Sequence, residues 1–234
     1  MRVKTLLAGL TLTLLASTAH GQTGRVVSFG DSLADTGNLF AFTGTPPAPY
    51  AGGRFSNGPV WIEYLYGPFA RFTPAPPNPN GGNVNYAFGG ARTDTLVALP
   101  PGLPAQVATF AATGGRFGPA DTATVWVGAN NIFQAVEAPG ASQATIVGAA
   151  TAAGTDVART VAGLAPLGAR RVVVLNLPDL GNTPSFIALG GAAQQAASLA
   201  TATFNGTLDA SLRPVALGRA STWSRWTSTP PSRP

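Results

Sequence analysis

The sequence predicts an α/β protein, a three-layer α/β/α sandwich built around a parallel sheet. Short β-branched runs alternate along the chain with longer segments whose apolar residues recur at every third or fourth position. The strand runs are apolar on both faces, which is typical of parallel strands that helices cover on both sides. The length of 234 residues indicates one domain of ordinary size.

Four β-branched or apolar runs are predicted as strands. In chain order they lie at residues 25–29 (RVVSF), 84–88 (VNYAF), 122–127 (TATVWV) and 171–175 (RVVVL). The segments 44–53 and 73–82 are rich in Pro, Gly and Asn and are predicted as loops.

Five further segments are predicted as helices. They begin at about Leu33 and at Asn57-Gly58-Pro59, or span residues 103–112, 142–167 and 192–208. Pro59 suits the first turn of a helix, where a missing N–H costs nothing. The longest helix carries Ile146 and Val157 on one apolar face. Ser142 can cap its start and Gly168 can end it.

Residues 1–21 are predicted to be a signal peptide rather than part of the fold. Arg2 and Lys4 form a basic start, and residues 6–16 are an apolar run. Small residues around Ala19 and Gly21 offer cleavage positions. Because the apolar run is too short to span a bilayer comfortably, we expect a secreted or periplasmic protein with no stable membrane span.

Composition argues against several kinds of site. There is no cysteine, which excludes disulfides, thiolate chemistry and sulfur-bound metals. The one histidine, His20, lies at the expected cleavage junction, so we expect no histidine-based metal site. The net charge is +5, but the arginines are scattered singly apart from Arg170-Arg171, without the basic stripe of a nucleic-acid-binding protein. We therefore expect no metal, no organic cofactor and no nucleic-acid partner.

The loops that follow the four strands hold the residues that can do chemistry, since ligands bind at the carboxyl ends of strands in parallel sheets. These loops contain Gly30-Asp31-Ser32, Gly89-Gly90, Asn130-Asn131 and residues 176–181. A serine on a strand-to-helix turn has an exposed hydroxyl near a helix N-terminus. Glycine N–H groups and an asparagine amide can bind the negative oxygen that forms when a carbonyl is attacked.

Each of these features alone has a simpler explanation. A Gly-Asp-Ser triplet after a strand is more often a turn with a helix cap, and a Gly-Gly pair is usually a turn. Paired asparagines near a helix start usually cap it. Their occurrence in order, on successive strands, favours the catalytic interpretation.

Four blocks of the sequence resemble those of the GDSL, or SGNH, hydrolases. They are FGDSLADTGN (residues 29–38), NYAFGGAR (85–92), WVGANN (126–131) and LNLPDLGNTP (175–184). Some members of this family are secreted lipases, and others are passenger domains of bacterial autotransporters. The resemblance covers about residues 25–210 and implies a flavodoxin-like fold that hydrolyses small-molecule or lipid carboxylic esters.

The resemblance also implies roles for individual residues. Ser32 would be the nucleophile. Its own N–H, the N–H of Gly90 and the side-chain amide of Asn130 would bind the oxyanion. Asp31 and Asp35 would be structural residues that hold the turn and its helix.

One block of the family is missing from these 234 residues. The family completes its site with Asp-x-x-His near the C-terminus, where the histidine takes the serine proton. Here no histidine follows His20, and the last acidic residue is Asp209. Residues 213–234 show no strand or helix period, so we expect a disordered tail outside a hydrolase domain at residues 22–212.

The sheet is accordingly expected to be incomplete, without its final strand and helix. We hypothesise that the reading frame is broken near residues 215–219, and a natural disordered tail is the alternative. The predicted function is a serine esterase or lipase that is impaired by the loss of the catalytic His and Asp. An inactive remnant or binding protein with the same fold is the second interpretation, and a fragment of an autotransporter passenger is the third.

A second class of serine hydrolase is disfavoured. The α/β-hydrolases carry their serine in a G-x-S-x-G turn. In this chain Ala34 stands at the last position of that signature, and Ser32 follows the first strand rather than a central one.

Overall fold

Five parallel strands form one sheet. The structure, a computed structural model, describes residues 24–70, 82–94 and 99–215 and the backbone of residues 222–226. The strands are β1 (Val26–Gly30), β2 (Val84–Asn85), β3 (Thr122–Trp126), β4 (Arg171–Leu175) and β5 (Thr222–Trp226). Their order across the sheet is β2-β1-β3-β4-β5. The predicted α/β fold with a parallel sheet is confirmed.

The register aligns the carboxyl ends of the central strands. Gly30 of β1 is level with Trp126 of β3, and Val125 of β3 is level with Val174 of β4. Because all the strands run in the same direction, the loops that follow them emerge along one edge of the sheet. The loops predicted to carry the site therefore share this edge.

Seven α-helices surround the sheet in the described residues. They are α1 (Asn38–Thr43), α2 (Trp61–Tyr66), α3 (Leu103–Ala112), α4 (Ala129–Glu137), α5 (Gln143–Gly163), α6 (Pro184–Leu189) and α7 (Gly191–Leu212). The main hydrophobic core lies between one face of the sheet and helices that include α5 and α7. Phe29, Val125 and Val174 from the sheet meet Val157 and Phe204 from these helices.

Helix α5 shows why the sequence pattern predicts this layer. The Ser142 hydroxyl caps the helix by accepting the N–H of Thr145 at 3.2 Å. A Cβ atom at Gly154 would lie 2.9 Å from the carbonyl oxygen of Phe204, so the glycine allows α5 and α7 to pack closely. The helix predicted at 142–167 is confirmed over Gln143–Gly163, and a 3₁₀ turn follows it.

The opposite face of the sheet is covered in part by the short helix α2. Ile62 of α2 packs with Ala34 and Ala87 in a small second core. The indole ring of Trp61 meets that of Trp126 edge-on, with ring centroids 5.8 Å apart. This face carries the turn that follows β1.

The helix expected from Leu33 begins only at Asn38. The carboxylate of Asp35 accepts the N–H groups of Gly37 and Asn38 at 2.8 and 2.5 Å. Gly37 adopts a φ of 110°, which is outside the helical region. These contacts hold the preceding residues in a turn, so the helix starts later than the sequence pattern suggests.

The strand expected at 84–88 is also shorter, and ends at Asn85. The side-chain oxygen of Asn85 accepts the N–H of Ala87 at 2.9 Å and turns the chain away from the strand direction. Helices α4 and α6 were not anticipated, because each has fewer than ten residues and directly follows a loop that was interpreted only for its chemistry.

The expectation that residues 213–234 contain no strand is wrong. The backbone of residues 222–226 forms β5, which pairs with β4 from Arg171↔Thr222 to Leu175↔Trp226. Threonine and tryptophan favour strands, and the edge of β4 offers free hydrogen-bonding groups. The expectation that the sheet lacks its final strand is therefore also wrong.

Other sequence predictions fall outside the described residues. They concern the signal peptide at 1–21, almost all of the loop at 73–82, and the tail at 216–221 and 227–234. The boundary of the hydrolase domain at residue 212 and the broken reading frame stay predictions.

Candidate active site

Ser32 lies on a tight turn at the carboxyl end of β1 and is half-buried. The N–H of Asp31 donates to the carbonyl of Trp126 at 3.1 Å, which fixes the start of the turn against β3. The carbonyl of Asp31 accepts the N–H groups of Ala34 and Asp35 at 3.1 and 3.0 Å. The backbone on both sides of Ser32 is therefore held by hydrogen bonds.

The Asp31 side chain lies beneath this turn and is only 1% exposed. Its Oδ1 accepts the N–H of Leu33 at 3.0 Å. Its Oδ2 is buried and has no hydrogen-bond partner among the described residues. Burial raises the pKa of Asp31 to about 7, against the opposing effect of the N–H groups of Leu33 and Asp31 itself.

Asp35 joins the first loop to the second. Its carboxylate accepts four backbone N–H groups, those of Gly37 (2.8 Å), Asn38 (2.5 Å), Leu39 (3.1 Å) and Gly89 (2.8 Å). Burial raises its pKa, and these N–H groups, with that of Gly89 first, oppose the rise. The contact with Gly89 holds the Gly-Gly turn beside the serine turn.

Gly90 lies on the surface of the second loop, where its φ of 78° is in the region that favours glycine. Its neighbour Gly89 is buried, and a Cβ atom there would lie 2.2 Å from Cε2 of Phe55. The N–H of Phe88 donates to the carbonyl of Gly30 at 3.1 Å. Both glycines are thus required by the geometry of the loop, for different reasons.

Asn130 lies in the first turn of α4 and is half-buried. Its side-chain Nδ2 donates to the carbonyl of Ala91 at 2.8 Å. Its neighbour Asn131 is buried, and accepts the N–H of Thr93 at 3.1 Å while donating to the Thr93 hydroxyl at 3.0 Å. Two adjacent asparagines therefore fasten the third loop to the segment that follows Gly90.

Three residues that sequence reasoning missed hold the loops in place. Asn38 donates to the carbonyls of Asn85 and Ala87 at 2.9 and 2.8 Å. Asn85 donates in return to the carbonyl of Ala34 at 2.6 Å. Gln106 accepts the N–H of Gly30 and donates to its carbonyl, at 2.9 and 2.8 Å. Asn38 and Asn85 stand inside two of the four sequence blocks, whereas no sequence signal marks Gln106.

The structure thus brings Ser32, Gly90 and Asn130 to neighbouring loops on one edge of the sheet. The fourth loop is anchored elsewhere. The N–H of Leu177 donates to the Asn205 side chain of α7 at 2.9 Å, and Asp179 accepts the Ser198 hydroxyl at 2.7 Å. In the described residues, no group of three or more His, Cys, Asp or Glu side chains could hold a metal ion.

An apolar cleft with a volume of about 550 Å³ lies between α2 and the carboxyl halves of β3 and β4. Its lining includes Trp61, Leu65, Trp126 and Leu175. Trp126 is also the residue whose carbonyl receives the N–H of Asp31. The cleft and the contacts that hold the serine turn therefore share Trp126.

Comparison with known proteins shows to which family the chain belongs. Residues 26–217 match the profile of the GDSL-like lipase/acylhydrolase family. The chain belongs to this family. The recognition drawn from the four sequence blocks is confirmed.

Relatives of this GDSL protein include larger proteins. A phosphatidylcholine-sterol acyltransferase of Aeromonas hydrophila is 34% identical over 183 residues, which cover 77% of this chain and 52% of the relative. A thermolabile hemolysin of Vibrio parahaemolyticus is 30% identical over 172 residues, or 70% of this chain and 36% of the relative. This chain spans about half or less of the length of these relatives. Within its described part, no helix is long and apolar enough to cross a membrane.

Proposed function

We propose that this chain hydrolyses carboxylic esters with Ser32 as the nucleophile. The Ser32 oxygen would bond to the ester carbonyl carbon, and the carbonyl electron pair would move to its oxygen. The N–H groups of Ser32 and Gly90 and the Nδ2 of Asn130 would bind that oxyanion. The proton that Ser32 loses is transferred to the alcohol, which leaves as the carbonyl re-forms. Water then attacks the acyl-enzyme, releases the acid and returns a proton to Ser32.

The observation that carries this proposal is the bond between Asn130 Nδ2 and the carbonyl of Ala91. An amide nitrogen has two hydrogens, so one can hold the side chain to the second loop while the other is given to the substrate. Since Ala91 directly follows Gly90, the bond keeps the side-chain donor close to the backbone donor. Donors that are fixed in advance need no reorganisation when charge develops.

The proton of Ser32 has no evident acceptor in this sequence. Its one histidine, His20, lies in the expected signal peptide. Loss of the histidine in serine hydrolases costs about 10⁶-fold in kcat and leaves roughly 10³–10⁴ over water from the oxyanion hole and binding. We therefore propose that Ser32, with the oxyanion donors of Gly90 and Asn130, hydrolyses esters slowly. An inactive remnant or binding protein with the same fold is the second candidate.

The cleft that Trp126 lines supports an apolar acyl group as part of the substrate. A lining of tryptophan, leucine and tyrosine side chains suits a hydrocarbon chain better than an acetylated sugar. The Aeromonas relative is named for a phosphatidylcholine and a sterol. We propose an apolar acyl ester, without choosing between a lipid and a small synthetic ester.

The basic and apolar composition of residues 1–21 supports export. We propose that the signal peptide is removed and that the protein is secreted or periplasmic. Sequencing the N-terminus of exported protein tests this: a start near Gln22 supports it, and an intact Met1 contradicts it.

Covalent labelling tests the role of Ser32. A p-nitrophenyl alkylphosphonate forms a stable bond to an activated serine, and peptide mass mapping locates the bond. We expect the reagent to modify the peptide that contains Ser32 in the natural protein, and to leave the same peptide of Ser32→Ala unmodified. Labelling spread over several hydroxyls at equal rates would support the inactive remnant.

A further inference from the structure

Asp31 makes more contacts with the serine turn than a simple turn residue needs. Its N–H is bound to Trp126, its carbonyl to the N–H groups of Ala34 and Asp35, and its Oδ1 to the N–H of Leu33. These bonds join β3 to the residues on both sides of Ser32. The bond from the N–H of Leu33 to Oδ1 therefore links the charge state of the Asp31 side chain to the turn that presents the nucleophile.

The carboxyl group itself is in an unusual position for an aspartate. It is almost fully buried, and only one of its two oxygens has a hydrogen-bond partner among the described residues. A buried carboxylate with an unpartnered oxygen is costly when it is charged and much less so when it is neutral. Burial and the unpartnered oxygen both favour the neutral form, and burial raises the pKa of Asp31 to about 7.

The charged groups on the surrounding elements are engaged with other partners. Asp35, on the same turn, is bound by four backbone N–H groups. Glu63 of α2 is paired with Arg54 at 2.6 Å. Arg92, on the segment after Gly90, is paired with Asp94 at 2.6 Å. Within the described part of the chain, no ion pair neutralises Asp31.

We propose that Asp31 is a proton-controlled positioning residue for the Ser32 turn. The neutral carboxyl leaves the turn free of charge beneath the nucleophile. The ionised carboxylate puts a negative charge there. This charge strengthens the hydrogen bond from the N–H of Leu33 and repels the oxyanion that forms on the ester when Ser32 attacks it. This inference rests on the proposed function for its effect on rate, and on the turn alone for its effect on structure.

The variant Asp31→Asn separates charge from shape. The amide keeps an oxygen that can accept the N–H of Leu33 but cannot ionise. The rate of ester hydrolysis by the natural protein, divided by that of Asp31→Asn, should be constant below about pH 6 and fall about tenfold above pH 8. Asp156→Asn, on α5 where the carboxylate pairs with Arg159, is the matched control and should give a ratio that does not depend on pH.

A second measurement does not depend on turnover. In ¹⁵N-labelled protein, the backbone amides of Ser32 and Leu33 should shift together with a midpoint near pH 7, and these shifts should vanish in Asp31→Asn. Amides that stay unchanged between pH 5 and 9 overturn the proposal, whatever the rates are. The amides could titrate while neither the natural protein nor Asp31→Asn hydrolyses ester faster than Ser32→Ala. Asp31 would then keep its role in the turn, and the proposed esterase function would fail.

Discussion

The side-chain nitrogen of Asn130 lies 2.8 Å from the carbonyl oxygen of Ala91, a residue 39 positions away in the chain. This contact joins the first turn of α4 to the loop that follows β2. Asp35 makes the matching connection from the serine turn to Gly89 at 2.8 Å. Three loops from three strands are therefore held together by two side chains.

Asn130→Ala is predicted to lower the rate of ester hydrolysis about 10²–10³-fold, because it removes a donor to the oxyanion. Asn130→Asp should lower it at least as much, since a carboxylate repels the developing charge. Steady-state kinetics on a chromogenic ester measures the effect. Unfolding by urea is the control, because a large loss of stability in both variants would mean that Asn130 acts by holding the loops.

Imidazole is predicted to accelerate ester hydrolysis by the natural protein. It can diffuse to Ser32 and accept the proton for which this sequence supplies no histidine. The rate should rise with imidazole concentration beyond the reaction of imidazole with the ester in solution. Ser32→Ala should show only that solution reaction, and an equal increase in both proteins would contradict a missing base at Ser32.

The substitution Asp31→Asn is predicted to change the free energy of unfolding more favourably at pH 9 than at pH 5. Between pH 3.8 and about 7 the folded protein binds a proton at Asp31 that the unfolded chain has released. The free energy of unfolding therefore falls as pH rises through this window, by on the order of 4 kcal/mol in all. Urea unfolding at pH 5 and pH 9 measures the part of this loss that falls above pH 5, about 3 kcal/mol, which should be absent in Asp31→Asn. The same pH dependence in both proteins would show that Asp31 titrates normally.

Leu65→Asp is predicted to weaken the preference for long acyl chains. Leu65 is 66% exposed and lines the cleft, so a charge there should disturb the cleft without disrupting the core. We expect the kcat/KM ratio of octanoyl to acetyl ester to fall about tenfold. Leu189→Asp, at a position that is 56% exposed on α6, is the matched control and should leave the ratio unchanged. An unchanged ratio in both variants would place the acyl group elsewhere.

The fold was predictable where the signal is local and repeated. The long helix at 142–167 has a cap at Ser142 and an apolar face, and the strand at 171–175 is a run of β-branched residues. The strand at 222–226 was missed because its residues, TWSRW, lack the run of apolar β-branched residues that marks the other strands, and only the edge of β4 gives them a partner.

The sequence predicted that the candidate site residues would lie on neighbouring loops, but it did not predict the contacts that hold those loops. Ser32, Gly90 and Asn130 stand in recognisable blocks at strand ends. The contacts of Asn38 with the carbonyl of Ala87, and of Gln106 with Gly30, join residues 49 and 76 positions apart. Such bonds depend on how the strands pair, which local patterns do not encode.

The central claim is that Ser32 still attacks an ester in this chain. The most direct test is hydrolysis of a chromogenic acyl ester by the purified protein, beside Ser32→Ala prepared in the same way. We predict slow turnover by the natural protein and only background hydrolysis by the variant. Equal rates would contradict the account and leave a protein that keeps the fold of an esterase without its reaction.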